Sequence, residues 1–246
     1  MSDDWDFYSL LVDDEPASIY LDLGLARVVP IRTQPHMAFL RIVMRQPRPD
    51  GLSSQDEFDD LMGLEDALTD HLDGIENLTY VGRNTSGGHR DFYFYTDDPD
   101  GFPAWAVAAM EGHRQYQFQA GGRPDPQWDA YRNFLYPSPD DLQRILNRRV
   151  LVQLADNQDD SAKPRTIDHV AILPSAAASA ELGTYLREQG FTVNEPSIDG
   201  GSIVLSFERQ DRPELINDVV LPVAQKVRQL GGDYDGWGCE VIPCSA

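Results

Sequence analysis

The chain has 246 residues, of which 41% are hydrophobic, enough for a buried core in one large domain or two modest ones. Its 41 Asp and Glu residues against 20 Lys and Arg residues give a formal net charge of −21. A field of that sign repels DNA, RNA and anionic membranes and favours basic protein partners, so the composition argues against DNA binding and makes RNA an unfavourable ligand.

The N-terminal sequence and the cysteine content indicate the compartment. The opening MSDDWDF has neither the basic nor the apolar region of a secretory signal, and no apolar run reaches the roughly 18 residues of a membrane span. We therefore expect a cytoplasmic protein that does not contact membranes. Cys239 and Cys244 cannot form a structural zinc site unaided, and we expect two ordinary thiols in a reducing compartment.

The first half of the chain shows alternating strand and helix patterns. Residues 5–12 and 19–25 alternate around an acidic turn, which predicts an opening hairpin. The order strand, helix, strand, strand, helix, strand is then predicted at residues 37–44, 58–72, 78–83, 90–96, 102–110 and 116–119. Two further helices are predicted at 126–134 and 138–154, the second with Ser138 as its N-cap.

A polar segment without periodicity, residues 157–164, predicts a linker between a domain at 1–156 and a domain at 165–246. In the second domain, strands are predicted at 166–173, 191–195 and 202–208, with helices at 175–189 and from Pro213 onward, the last kinked or restarted at Pro222. Both halves have the order βαββαβ. We predict an α+β protein of two ferredoxin-like sandwich units in tandem, the first with an extra N-terminal hairpin and C-terminal helices.

Residues 231–240, GGDYDGWGCE, combine four glycines with a large aromatic side chain. Gly231 and Gly232 follow an apolar helical stripe and predict a helix C-cap. The Asp235-Gly236 pair predicts a tight turn, followed by a final strand at 239–243. Two roles remain open for Trp237, an anchor between helix and sheet and a hot spot for a partner.

The same segment carries a resemblance. Residues 233–238 are an acidic residue followed by YDGWG, and they resemble the most characteristic motif of the regulator of ribonuclease activity B family. The similarity extends over residues 165–246. It implies a non-catalytic protein without cofactor that binds ribonuclease E and modulates RNA decay. We therefore predict that a basic or arginine-rich protein segment, such as one of ribonuclease E, is bound by six residues. These are Asp233, Tyr234, Asp235, Gly236, Trp237 and Gly238.

The N-terminal half resembles a second bacterial family, catalogued as domain of unknown function 695. The resemblance rests on Trp5, on YVGR at residues 80–83, on Arg90 with the aromatic run FYFY after it, and on DPQWDAYRNFLYP at residues 125–137. It implies an α+β fold and no mechanism.

Three local patterns imitate functional motifs. Ser86 and His89 lie between two strands rather than on the strand-to-helix turn of a nucleophile elbow, so a hairpin turn is predicted. The acidic residues of 233–240 miss the spacing of a calcium loop. Residues 90–95 match part of the aromatic pattern of RNA-recognition modules, which leaves a single-stranded RNA-binding module as an alternative function beside a protein-interaction adaptor. We predict no catalytic residues, no metal and no enzyme activity.

Overall fold

The computed structural model describes residues 2, 4–72 and 74–244. The chain divides into two compact units, Met1–Pro137 and Ser138–Ala246. Each unit is α+β, and its strands form one antiparallel sheet. Among the described residues, no helix combines the length and the apolar character that crossing a membrane requires.

In the first unit, the strands and helices largely follow the predicted order. They are β1 (Trp5–Val12), β2 (Glu15–Asp22), β3 (His36–Val43), α1 (Phe58–Asp70), β4 (Leu78–Ser86), β5 (His89–Thr96), α2 (Phe102–Ala109) and β6 (Phe118–Pro124). The sheet order is β1-β2-β4-β5-β3-β6, so the opening hairpin extends the sheet beyond β4. Three predictions differ clearly. Residues 23 and 25 lie in the short helical turn Leu23–Arg27, the predicted helix at 126–134 is the short turn Ala130–Leu135, and the strand predicted at 116–119 runs from Phe118 to Pro124.

The core of the first unit lies between α1, α2 and one face of the sheet. The apolar stripe of α1, with Leu61, Leu64 and Leu68, packs on this face because these residues recur at helical spacing. Phe92 and Phe94 of β5 belong to the same core, and neither side chain is exposed to solvent. Because bases cannot stack on buried rings, the burial of Phe92 and Phe94 argues against the alternative of a single-stranded RNA-binding module that uses residues 90–95.

The second unit contains a long helix followed by a helix-covered sheet. Its elements are α3 (Pro139–Asp156), β7 (Arg165–Leu173), α4 (Ala176–Glu188), β8 (Thr192–Val193), β9 (Ser197–Asp199), β10 (Ser202–Asp211), α5 (Ile216–Gln229) and β11 (Asp233–Cys239). The strand order is β11-β7-β10-β8, and β9 also pairs with β10. The core combines the inward face of β7 and β10 with the apolar stripes of α4 and α5.

Helix α3 lies in the second unit, whereas the sequence placed it at the end of the first domain. It packs against α5. The segment 157–164 is also not a free linker, because Asp159 is buried and ion-paired with the buried Arg165. Asp159 also accepts hydrogen bonds from the backbone N–H of Ile242 (2.7 Å) and the hydroxyl of Ser161 (2.9 Å). These bonds tie the segment to the sheet and to the C-terminal residues.

Three further expectations for the second unit were wrong: a restart of the last helix at Pro222, a final strand at 239–243 and a tight turn at Asp235-Gly236. Helix α5 begins at Ile216, after a short turn at Pro213–Leu215, and continues through Pro222 without restarting. The final strand is Asp233–Cys239 rather than residues 239–243. The Asp235-Gly236 pair therefore lies within a strand instead of forming a tight turn. The predicted C-cap is present, with Gly231 at a φ of 75° that favours glycine.

Candidate functional site

The six residues predicted to bind a partner form most of β11, which lies at one edge of the sheet. β11 pairs with β7 alone among the described strands, in antiparallel register. The register shifts between Tyr234 and Gly236: Tyr234 lies opposite Ala171, and Trp237 lies opposite His169. The extra residue forms a bulge, and Gly236 has a φ of 142° that other residues rarely adopt. As a result, Tyr234 and Trp237 face the same side of the sheet although they are three residues apart.

Tyr234 contacts a buried histidine. Its hydroxyl and Nδ1 of His169 share a hydrogen bond of 2.6 Å. The His169 ring stacks on Phe207, with centroids 5.3 Å apart, and meets Phe191 edge to face. Burial lowers the pKa of His169 to about 4, and it raises the pKa of Tyr234. The pair is therefore neutral at physiological pH, and Tyr234 serves to hold the edge strand on the core.

Trp237 is half-buried and is anchored by α3. Its indole N–H donates to Oδ1 of Asn147 at 3.0 Å. The fully buried Asn147 also accepts from Gln143 at 3.0 Å and donates to Oδ1 of Asn217 on α5 at 2.8 Å. The network joins β11 to two helices. It satisfies the polar end of the indole within the unit, so Trp237 acts as an anchor between helix and sheet.

The remaining members of the segment are directed to solvent. Asp233 and Asp235 are exposed. A Cβ atom added at Gly236 or at Gly238 would meet nothing within 4 Å, so both glycines border open space. Gly236 is required by its positive φ, but Gly238 has neither a positive φ nor a close neighbour. The surface of β11 thus combines two exposed carboxylates with a backbone that lacks covering side chains.

Asn147 and His169 were missed in the sequence analysis. Asn147 lies in α3, which the sequence assigned to the other domain, so no pattern connected it with Trp237. His169 alternates in register with apolar residues of β7, namely Ile167, Ala171 and Leu173, and this alternation could have marked it as inward-facing. Its interaction with Tyr234 depends on the bulge, which the sequence did not reveal.

The other candidate motifs are structural features. Ser86 and His89 flank a two-residue hairpin turn at Gly87 and Gly88, which have φ values of 56° and 79°, as predicted. Nδ1 of His89 lies 2.9 Å from the carbonyl oxygen of Gly87. Within the described residues, no group of three or more His, Cys, Asp or Glu side chains could hold a metal ion.

Comparison with known families covers both units. The model described as "Family of unknown function (DUF695)" matches residues 3–136, which is more than half of the chain. The chain belongs to this family. The DUF695 match ends one residue before the boundary between the two compact units. It accounts for the first unit, for which no biochemical activity follows from the family description.

A second model, "Regulator of ribonuclease activity B", matches residues 144–239. Both resemblances deduced from the sequence are thus confirmed. The second match begins inside α3 and ends at the last residue of β11, so it includes the helix that anchors Trp237. The family it describes is regulatory. No curated protein matches the chain.

Proposed function

We propose that this protein is a non-catalytic regulator whose second unit binds a ribonuclease of the E type and modulates RNA decay. The observation that carries the proposal is the match of the regulator of ribonuclease activity B family to residues 144–239, which span α3 through β11. The proposal requires no metal or cofactor, because the regulatory effect comes from occupying a surface of the enzyme. The acidic composition supports a basic partner, and the compartment that we propose is the cytoplasm.

Both units are proposed to be ferredoxin-like. In the first unit, β3, β4, β5 and β6 form the βαββαβ pattern with α1 and α2, and their order in the sheet is fourth, first, third, second. In the second unit, β7, β8, β10 and β11 have the same order. This arrangement places the fourth strand of each unit at a sheet edge, where its outer side is free of other described strands.

We propose that the partner-binding segment is Asp233–Gly238, with different roles for its residues. Asp233 and Asp235 attract a basic or arginine-rich segment of the partner, since both carboxylates are exposed and the net charge of −21 steers positive chains toward the protein. The uncovered backbone at Gly236 and Gly238 lets an extended segment approach β11 closely. Tyr234 and Trp237 keep the strand in place through their bonds to His169 and Asn147.

The proposal is tested by measuring the affinity of the purified protein for purified ribonuclease E of the same host. Charge reversal of Asp233→Lys together with Asp235→Lys is expected to weaken binding by about tenfold or more, because two attractive charges become repulsive. Glu195→Lys together with Asp199→Lys is the matched control. These exposed residues of the same unit lie near β8 and β9, away from β11 in the sheet order, and the control alters the net charge equally.

Gly238→Ala gives a second test of the same surface. The added methyl group has open space in the protein itself, so stability should be retained, while a partner lying against the backbone would be displaced. Gly112→Ala, where a Cβ would also meet nothing within 4 Å, is its control in the first unit. Absence of binding by the unaltered protein would refute the ribonuclease partner. Equal weakening by both charge-reversed variants would refute the assignment of the segment.

A further inference from the structure

The first unit contains a cavity of about 660 Å³ between α1, the loop before it, and the strands β1, β2 and β4 of the sheet. The register aligns Phe7, Tyr20, Arg83 and Phe92 in one row across four neighbouring strands. A bulge between Tyr80 and Gly82 shifts the alternation of β4. For this reason Tyr80 and Arg83 both face the cavity although they are three residues apart.

The floor of the cavity holds two arginines and one carboxylate. Glu65 accepts a hydrogen bond from Nε of Arg83 at 2.6 Å and another from the hydroxyl of Tyr80 at 2.8 Å, so both its oxygens are engaged. Nη1 of Arg90 lies 3.7 Å from Glu65, too far for a hydrogen bond. The cluster of Arg83, Arg90 and Glu65 thus carries one excess positive charge.

Arg90 is the unusual member of this cluster. Its side chain is only 3% exposed, and its Nε donates to Thr85 at 3.2 Å. Nη1 is buried without a hydrogen-bond partner among the residues that the structure describes. Burial lowers the pKa of Arg90 to about 10, so the guanidinium still carries its charge at neutral pH. A buried charged donor that lacks an acceptor costs free energy, and an incoming anion would supply the missing acceptor.

The walls above this charge are aromatic. Trp5 packs on Tyr20 and on Tyr80, with ring centroids 5.1 Å and 5.3 Å apart. Phe58, at the start of α1, also lines the cavity and is 45% exposed. Such a surface buries a flat apolar body, and the volume lies in the range that small-molecule sites occupy.

We propose that this cavity binds a small aromatic carboxylate, whose anionic group pairs with Arg90 and whose ring lies against Trp5 and Tyr20. A single negative charge balances the single excess positive charge of the cluster, which favours a carboxylate over a doubly charged phosphate ester. Of the other charged residues lining the cavity, Arg48 is paired with Asp50, and solvent screens the charge of the exposed Asp66 more strongly than that of the buried Arg90. This site is independent of the partner surface proposed for the second unit.

The test uses the full chain and three probes: 2-naphthoate, the neutral 2-naphthamide of the same shape, and inorganic phosphate. Calorimetry should show saturable binding of 2-naphthoate, and binding of 2-naphthamide should be at least about tenfold weaker because it cannot supply a charge-assisted acceptor. The indole N–H resonance of Trp5, assigned by its loss in Trp5→Phe, should shift on binding. Phosphate, which has no apolar body, should bind more weakly than 2-naphthoate.

Arg90→Met should reduce the affinity for 2-naphthoate by about tenfold or more. Methionine retains the unbranched stem of the side chain as far as the position of Nε, and Glu65 stays paired with Arg83, so the unit is expected to fold, as circular dichroism will show. Arg114→Met, which removes an equal charge from a side chain that is 81% exposed in the same unit, should leave the affinity unchanged.

Three results would overturn the proposal. One is the absence of binding of 2-naphthoate up to about 10 mM. A second is equal affinity for naphthoate and naphthamide, and the third is phosphate binding as tight as that of naphthoate. If Arg90→Met does not fold, the comparison of naphthoate with naphthamide in the unaltered protein decides alone.

Discussion

The hydroxyl of Tyr234 lies 2.6 Å from Nδ1 of His169, a histidine whose side chain is fully buried between two phenylalanines. The relationship connects the edge strand β11 to the neighbouring strand through side chains as well as through the backbone. Because the imidazole is neutral when folded, it also makes the second unit sensitive to acid.

The second unit should become less stable as the pH is lowered, because His169 is neutral in the folded protein and protonated in the unfolded chain. The pKa of His169 is about 4 in the folded protein against 6.5 for an unperturbed histidine, so the unfolded chain binds more protons between these values. Stability from this group is therefore complete above pH 6.5 and decreases by about 3 kcal/mol as the pH falls to 4. Urea unfolding of fragment 138–246 across this range measures the effect.

The double variant His169→Phe with Tyr234→Phe has no imidazole at this position and should lose the contribution of His169 to the pH dependence. It keeps an aromatic ring at both positions and leaves no buried hydroxyl without a hydrogen-bond partner, so the unit should still fold. His71→Gln, at an exposed histidine of the first unit, is the control, and it is compared with the double variant and the unaltered protein in the full chain. An unchanged slope in the double variant would show that other groups cause the acid sensitivity.

Substitutions in the hydrogen-bond network at Trp237 and next to it should lower the stability of the second unit by different amounts. Trp237→Phe removes one donor to Asn147, which still accepts from Gln143, so a loss of about 0.5–1.5 kcal/mol is expected. Asn147→Ala leaves several buried polar groups unpaired and should cost more, about 2–3 kcal/mol. Arg144→Ala, an exposed residue of the same helix, should cost under about 0.5 kcal/mol. Chemical denaturation provides these values, and equal costs for Asn147 and Arg144 would contradict the anchoring role.

The buried ion pair of Asp159 and Arg165 should be the strongest constraint on residues 157–164. Asp159→Ala leaves the Arg165 charge buried without its carboxylate and should destabilise the second unit by about 3–5 kcal/mol. Asp160→Ala removes only the more exposed pair with Lys163 and should cost less than about 1 kcal/mol. Thermal unfolding followed by circular dichroism distinguishes the two, and a mild effect at Asp159 would restore the interpretation of this segment as a linker.

The domain boundary can be tested with two fragments. Residues 138–246 contain α3, Asn147 and Asp159, so this fragment should fold with a cooperative transition. Residues 165–246 lack the partners of Trp237 and Arg165 and should be unfolded or much less stable. Cooperative unfolding of both fragments at the same temperature would instead support the boundary predicted from the polar segment.

The sequence by itself determined the resemblance of each half to a known family, the α+β class, and the order of nearly all helices and strands. These properties depend on periodicity and on local turn residues, which are encoded within short windows of the chain. The hairpin at Gly87-Gly88 and the cap at Gly231 are examples, because the positive φ of a glycine is a local requirement.

Only the tertiary structure decided which residues meet. Strict alternation places side chains three residues apart on opposite faces, yet the bulges in β4 and β11 bring Tyr80 to the side of Arg83 and Tyr234 to the side of Trp237. A bulge depends on pairing with a neighbouring strand, which no local pattern specifies. The same holds for Asn147 beneath Trp237, at a separation of 90 residues, and for the convergence of Glu65, Arg83 and Arg90 in one cavity. These contacts arise because packing brings distant elements together after their local structures are set.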